Sequence, residues 1–141
     1  MKLKPFAKRI ILIIGVLFLL SFAACFILFK GKVIVFKNTP FNIGRLDKFK
    51  INADNGKKDS IKIIFYQGIR NSVTVELSVN ESKVITFISD ASNSKEIPKD
   101  GLKIHSAKCS KLTKGNDDNT VHYRLPLKDK KGTIELLTFE K

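Results

Sequence analysis

The sequence predicts an α+β chain: an N-terminal transmembrane helix, then an antiparallel sheet of about six strands with one amphipathic helix packed on it. Three observations predict it. Residues 10–29 are apolar and uncharged throughout. Leu46, Phe49 and Ala53 recur near helical spacing. Beyond Ser60, short runs rich in β-branched and aromatic residues are parted by turn residues, with clean alternation over Ser72–Val79.

The first element reads IILIIGVLFLLSFAACFILF. A helix of that length rises about 30 Å, the thickness of a bilayer's hydrocarbon core. A soluble helix needs a wet side, and this one has none. Lys2, Lys4, Lys8 and Arg9 precede it and favour a cytoplasmic N-terminus, while Lys30 and Lys32 follow it and weaken that bias. Three fates fit. The run is an uncleaved anchor, or a signal peptide cut near Ser21 and Ala23, or a lipoprotein leader lipidated at Cys25. Phe22-Ala23-Ala24-Cys25 resembles a lipobox, with Phe22 where that motif prefers Leu and with apolar Phe26-Ile27-Leu28-Phe29 following. All three put residues 30–141 outside the cytoplasmic membrane.

The expected division is a basic leader (1–9), the span (10–29), a juxtamembrane strand and linker (30–41) and an extracytoplasmic α+β domain (42–141). Lys32–Phe36 reads as a strand and Asn38-Thr39-Pro40 as a turn. A helix starts at Asn42 or Gly44 and stops at Asn55-Gly56. Ser60–Tyr66, Ser72–Val79 and Lys83–Ser89 read as a three-strand meander. Residues 90–101 form a loop, and Leu102–Cys109, Thr120–Leu127 and Thr133–Phe139 complete the strands. Lys114–Asn119 and Asp129–Gly132 read as turns, and strands joined by short turns pair antiparallel.

The chain carries a formal charge of +13 from 26 basic and 13 acidic residues. Four of the 26 precede the span, so the remaining 22 leave +9 on the part beyond it. That charge is mostly lysine, interspersed with acids; only Arg45, Arg70 and Arg124 lie past the leader. Lysine is a hydrated point charge, poor at forked recognition of phosphate. Two readings stand: a solubilising surface, or attraction to anionic lipid or wall polymer through Lys30, Lys32 and Lys37 beside the bilayer. Few arginines, no recognition motif and an external location exclude nucleic acid as a partner. Cys25 and Cys109 have no plausible intramolecular partner, so no disulfide framework is expected.

Arg45-Leu46-Asp47-Lys48-Phe49, followed by Asn55-Gly56-Lys57-Lys58-Asp59-Ser60-Ile61-Lys62-Ile63, resembles an uncharacterised family of small exported proteins, often lipoproteins, of Gram-positive spore-forming bacteria. Tyr66, Gly68, Val84–Phe87, Asp90-Ala91-Ser92, Gly101-Leu102-Lys103 and Cys109-Ser110-Lys111-Leu112 extend the resemblance, which covers roughly residues 42–112. It implies export and a short helix before a strand and hairpin; it implies no activity. Relatives often carry a second Cys near the C-terminus, and this chain has none after Cys109.

No residue set points to catalysis, a cofactor or a metal. His105 and Cys109, four apart on a strand, lie about 13 Å apart, too far to share an ion. His122 alternates with Val121 and Tyr123 and reads as a surface residue. Asp117-Asp118 lacks the later Glu and the ligand spacing of a calcium loop. Phe49, Phe65 and Tyr66 read as core rather than as the lining of a pocket. The expectation is a single-pass membrane protein whose outer domain binds a protein, lipid or wall component. A small exported enzyme without a recognisable motif, or an immunity- or inhibitor-type partner protein, is the alternative.

Overall fold

The computed structural model describes residues 5–29, 31–36, 38–68, 71–94, 104–129 and 131–141, with the side chains of 5–9, 26, 28, 29 and 104 outside that description. The chain divides into two compact units, residues 1–30 and 31–141. The first holds one helix, α1 (Pro5–Phe29). Among the residues described in full, no helix is both long and apolar enough to cross a membrane. The expected span Ile10–Phe29 includes positions 26, 28 and 29, whose side chains lie outside that set.

The second unit is α+β, with a six-strand mixed sheet and a separate three-strand sheet. Its elements are β1 (Lys32–Phe36), β2 (Thr39–Phe41), α2 (Gly44–Asp54), β3 (Asp59–Gly68), β4 (Asn71–Val79), β5 (Ile85–Asn93) and β6 (Ile104–Cys109), then β7 (Thr113–Asn116), β8 (Thr120–Pro126) and β9 (Thr133–Glu140). The large sheet runs β2-β1-β3-β4-β5-β6 and the small one β7-β8-β9. The expected single antiparallel sheet is thus corrected twice. β1 pairs parallel with β3, Val33 opposite Ile63 and Val35 opposite Phe65. The hairpin rule fails there because β2 and α2 intervene, and a helical crossover is what brings strands parallel. The strands after Cys109 form their own sheet, tied to the first by the Cys109–Leu127 bridge and by Ser110 N–H donating to the Pro126 carbonyl at 3.0 Å. Of the expected Lys114–Asn119 turn, residues 114–116 belong to β7. The strand at 32–36 is an interior strand of the sheet, and residues 31–41 belong to the same compact unit as the rest of the domain.

Helix α2 begins at Gly44 without a side-chain cap and buries Leu46, Phe49 and Ala53, the three positions expected. It ends by geometry rather than by a charge. Gly56 takes φ +67°, Gly56 N–H donates to the Ala53 carbonyl and Lys57 N–H to that of Asn52, both within 3.1 Å. Those two bonds satisfy carbonyls of the last turn, and glycine takes the left-handed φ without the penalty a Cβ brings.

One face of the large sheet carries the core. Val33, Val35, Ile61, Ile63, Val75, Leu77, Val79, Ile85 and Phe87 are buried there with Leu46 and Phe49 of α2 and with Leu112, Val121, Tyr123, Leu125, Leu136 and Leu137 of the small-sheet region. Alternation along β4 holds as expected, with Val75, Leu77 and Val79 buried and Glu76 and Ser78 exposed. The small sheet buries consecutive Leu136 and Leu137 because a register shift between Tyr123 and Arg124 leaves Leu136 as an extra residue.

Candidate functional site

The other face of the large sheet is the first candidate. Register sets its side chains in rows: Phe41–Ile34–Ile64–Thr74, Thr39–Phe36–Tyr66–Ser72 and Lys32–Lys62–Glu76–Ile88. At the β2–β1–β3 corner, Phe41 is 57 % exposed, Phe36 48 % and Tyr66 40 %, with Ile34 and Ile64 half-buried between them. Tyr66 is therefore not in the core, against the expectation from the sequence; it lies on the face opposite the buried Ile61 and Ile63, while Phe49 is fully buried. Lys62 pairs with Glu76 at 2.7 Å. Of the residues singled out for an anionic surface, Lys32 opens β1 beside Lys62, and Lys30 and Lys37 lie outside the described residues. Cys25 is exposed on α1.

The second candidate is a polar cluster on the outer face of the small sheet. His122, its side chain 15 % exposed, has Nε2 2.9 Å from Asp117 Oδ2 and 3.0 Å from Thr120 Oγ1. Its Nδ1 lies 3.1 Å from Glu135 Oε1 and 3.0 Å from Thr138 Oγ1. Thr138 Oγ1 donates to Glu135, which Arg124 Nε grips at 2.7 Å from the other side. The Thr138 hydroxyl first, then Arg124, holds the Glu135 carboxyl down at about 2. Hydroxyl, imidazole and carboxylate in that order are the parts of an activated nucleophile. Here each ring nitrogen of His122 lies against one hydroxyl and one carboxylate oxygen, and these contacts pin β8 to β9 and to the turn before β8. Thr120 and Thr138 also line an open cleft of ≈ 440 Å³ with Asn38, Thr39, Pro40, Phe139 and Glu140, a mixed polar and apolar set in which Glu140 alone carries a charge.

Several polar residues between Arg45 and Asp59 serve the fold. Arg45 forks onto Asp59, donating Nη1–H to Oδ2 at 3.0 Å, and donates to the Ser60 carbonyl, while Asn52 donates to Asp59 at 2.8 Å. Burial alone would push Asp59 up; these bonds outweigh it and hold the carboxyl below its ordinary range. Asp47 accepts from the fully buried Tyr123 hydroxyl at 2.7 Å and from Lys114 at 2.9 Å, tying α2 to the small sheet. Burial pushes the Tyr123 phenol up, so it stays a donor. Asp47→Ala should cost about 1–3 kcal/mol, because a buried hydroxyl is left without its acceptor. Tyr123→Phe in that background should then cost little, which urea titration of the single and double variants checks.

Cys109 is fully buried and burial pushes its thiol up, which suits packing and not nucleophilic attack. His105 is exposed on the same strand, and the two do not form a site. Among the described residues no group of three or more His, Cys, Asp or Glu is placed to hold a metal ion. No family model, curated protein or solved structure matches the chain.

Proposed function

We propose that α1 anchors the chain in the cytoplasmic membrane with its N-terminus inside, and that residues 31–141 act outside as a non-catalytic binding domain. One observation carries this reading. Five consecutive residues, Ile10 to Ile14, are apolar and 41 to 70 % exposed. At 100° per residue they sweep the whole circumference of the helix, so no polar side remains to face water. Val16 to Leu20 repeat the pattern without a charge. A helix of 25 residues is about 38 Å long, enough to cross ~30 Å of hydrocarbon with its ends in the headgroups. Gly31, at φ +81°, stands two residues past Phe29 in the conformation that commonly closes a helix. Lys2, Lys4, Lys8 and Arg9 argue for the inward N-terminus, and Lys30, Lys32 and Lys37 for contact with an anionic surface just outside.

The full chain should resist alkaline carbonate extraction from membranes, while residues 31–141 alone should be soluble. Protease added to intact cells should remove a C-terminal tag. Recovery from the medium of a product lacking the leader would overturn the anchor. Cys25→Ala separates anchor from lipoprotein: unchanged migration and retention rule lipidation out.

A further inference from the structure

We propose that the exposed corner formed by Phe41, Ile34, Phe36, Ile64 and Tyr66 seats in the headgroup region of the bilayer that α1 enters, with Lys32 and Lys62 against anionic lipid. This rests on the anchor reading above.

The first argument is the pattern of the strands. A sheet covered on one face should alternate, and β4 does. β1 and β3 do not: KVIVF and IKIIFY carry apolar residues toward the core and away from it. The core face of β1 and β3 is covered by α2, through Leu46 and Phe49. The outer face stays apolar at the β2–β1–β3 corner and turns polar at Thr74, Ser72 and Glu76 of β4. Ile88 of β5, 37 % exposed, apart, the exposed large apolar residues of this face lie on β2, β1 and β3, the strands nearest in sequence to α1 or paired with them.

The second argument is reach. Only residues 30 and 31 part Phe29 from β1. Phe36 is seven residues from the helix end, at most about 25 Å even fully extended. The connection is therefore short enough to let this face reach the bilayer. The third argument is chemistry. Aromatic rings with a polar tip, such as Tyr66, suit the boundary between headgroups and acyl chains, and lysines beside them suit anionic phosphate. The acids on this face, Glu76 against Lys62 and Asp90 at the far side of the Ile34 row, lie off the aromatic corner and fix which edge faces lipid.

The chain contains no tryptophan, so single substitutions make clean reporters. The full chain would be reconstituted in vesicles of phosphatidylcholine and phosphatidylglycerol with brominated acyl chains. Phe41→Trp and Tyr66→Trp replace half-exposed side chains on separate strands, and circular dichroism confirms that each variant folds. Both should shift to the blue and lose emission roughly twofold, as for rings ~5–10 Å into the interface. Ile51→Trp, at a position 58 % exposed on α2, should not be quenched. Phe18→Trp reads the anchor separately. If Phe18→Trp is quenched and neither patch reporter exceeds Ile51→Trp, the anchor stands and this proposal is overturned. If Phe18→Trp is not quenched, both fall. A blue shift without quenching that grows with protein density would put a second copy on the face and also overturn the proposal. Loss of patch quenching in pure phosphatidylcholine, with Phe18→Trp unchanged, is the expected signature of the lysines.

Discussion

Truncating Phe49 to alanine should cost residues 31–141 about 3–5 kcal/mol of stability, the range for a fully buried aromatic side chain. Phe49 sits at the centre of α2 with no exposed surface. The helix has 11 residues and no side-chain N-cap, too short and too poorly capped to hold on its own. What keeps it is docking: Leu46, Phe49 and Ala53 beneath, Arg45 on Asp59 at one side and Asp47 on Tyr123 at the other. Removing the ring leaves a cavity where α2 covers the parallel pair β1 and β3. Ile51→Ala on the exposed face of the same helix is the control, and should stay within about 0.5 kcal/mol of the parent. Urea titration should show the midpoint fall for Phe49→Ala with its slope unchanged. A loss no larger than that of Ile51→Ala would mean the helix is not docked through Phe49.

Much of the fold is legible because its signals are local. α2 announces itself by three apolar residues at helical spacing and an Asn-Gly stop, and β4 by strict alternation. What escapes the sequence is long-range. β1 and β3 become parallel neighbours through a crossover that no stretch of residues records. β7 reads Thr-Lys-Gly-Asn, a turn composition that becomes a strand only because β8 offers it partners. β2 contains Pro40 and three residues in all, and survives as an edge where a missing N–H costs little.

The candidate surface was half legible. Lys32 was singled out for its distance from the span, but its neighbour Lys62 is thirty residues on and meets it only through the parallel register. The aromatic corner had a signal that sequence reasoning misassigned. Phe65 and Tyr66 both read as core from the sequence, although adjacent residues of a strand face opposite sides. Among the described residues one face carries the core and Tyr66 lies on the other. The His122 cluster draws Asp117, Thr120, Glu135 and Thr138 from both sides of a hairpin. Alternation places His122 outward correctly and says nothing of the four partners that surround it there.

Leu77→Ala should cost about 2–5 kcal/mol, and Glu76→Ala, one residue away, less than about 1 kcal/mol. Leu77 is fully buried on β4, between Ile61 of β3 and Phe87 of β5 on the core face. Glu76 occupies the same strand on the outer face, where its pair with Lys62 is 2.7 Å long but both side chains are near half-exposed. Water and salt screen such a pair, so its loss is small. A strand has a period of two, so a slip of one residue would exchange these roles completely. Thermal or urea unfolding of the two variants therefore reads the register of β4 directly: a larger loss for Glu76→Ala than for Leu77→Ala would invert the faces of β4. The same register sets Thr74 and Glu76 beside Ile64 and Lys62 on the outer face, so the stability experiment tests that arrangement without any membrane present.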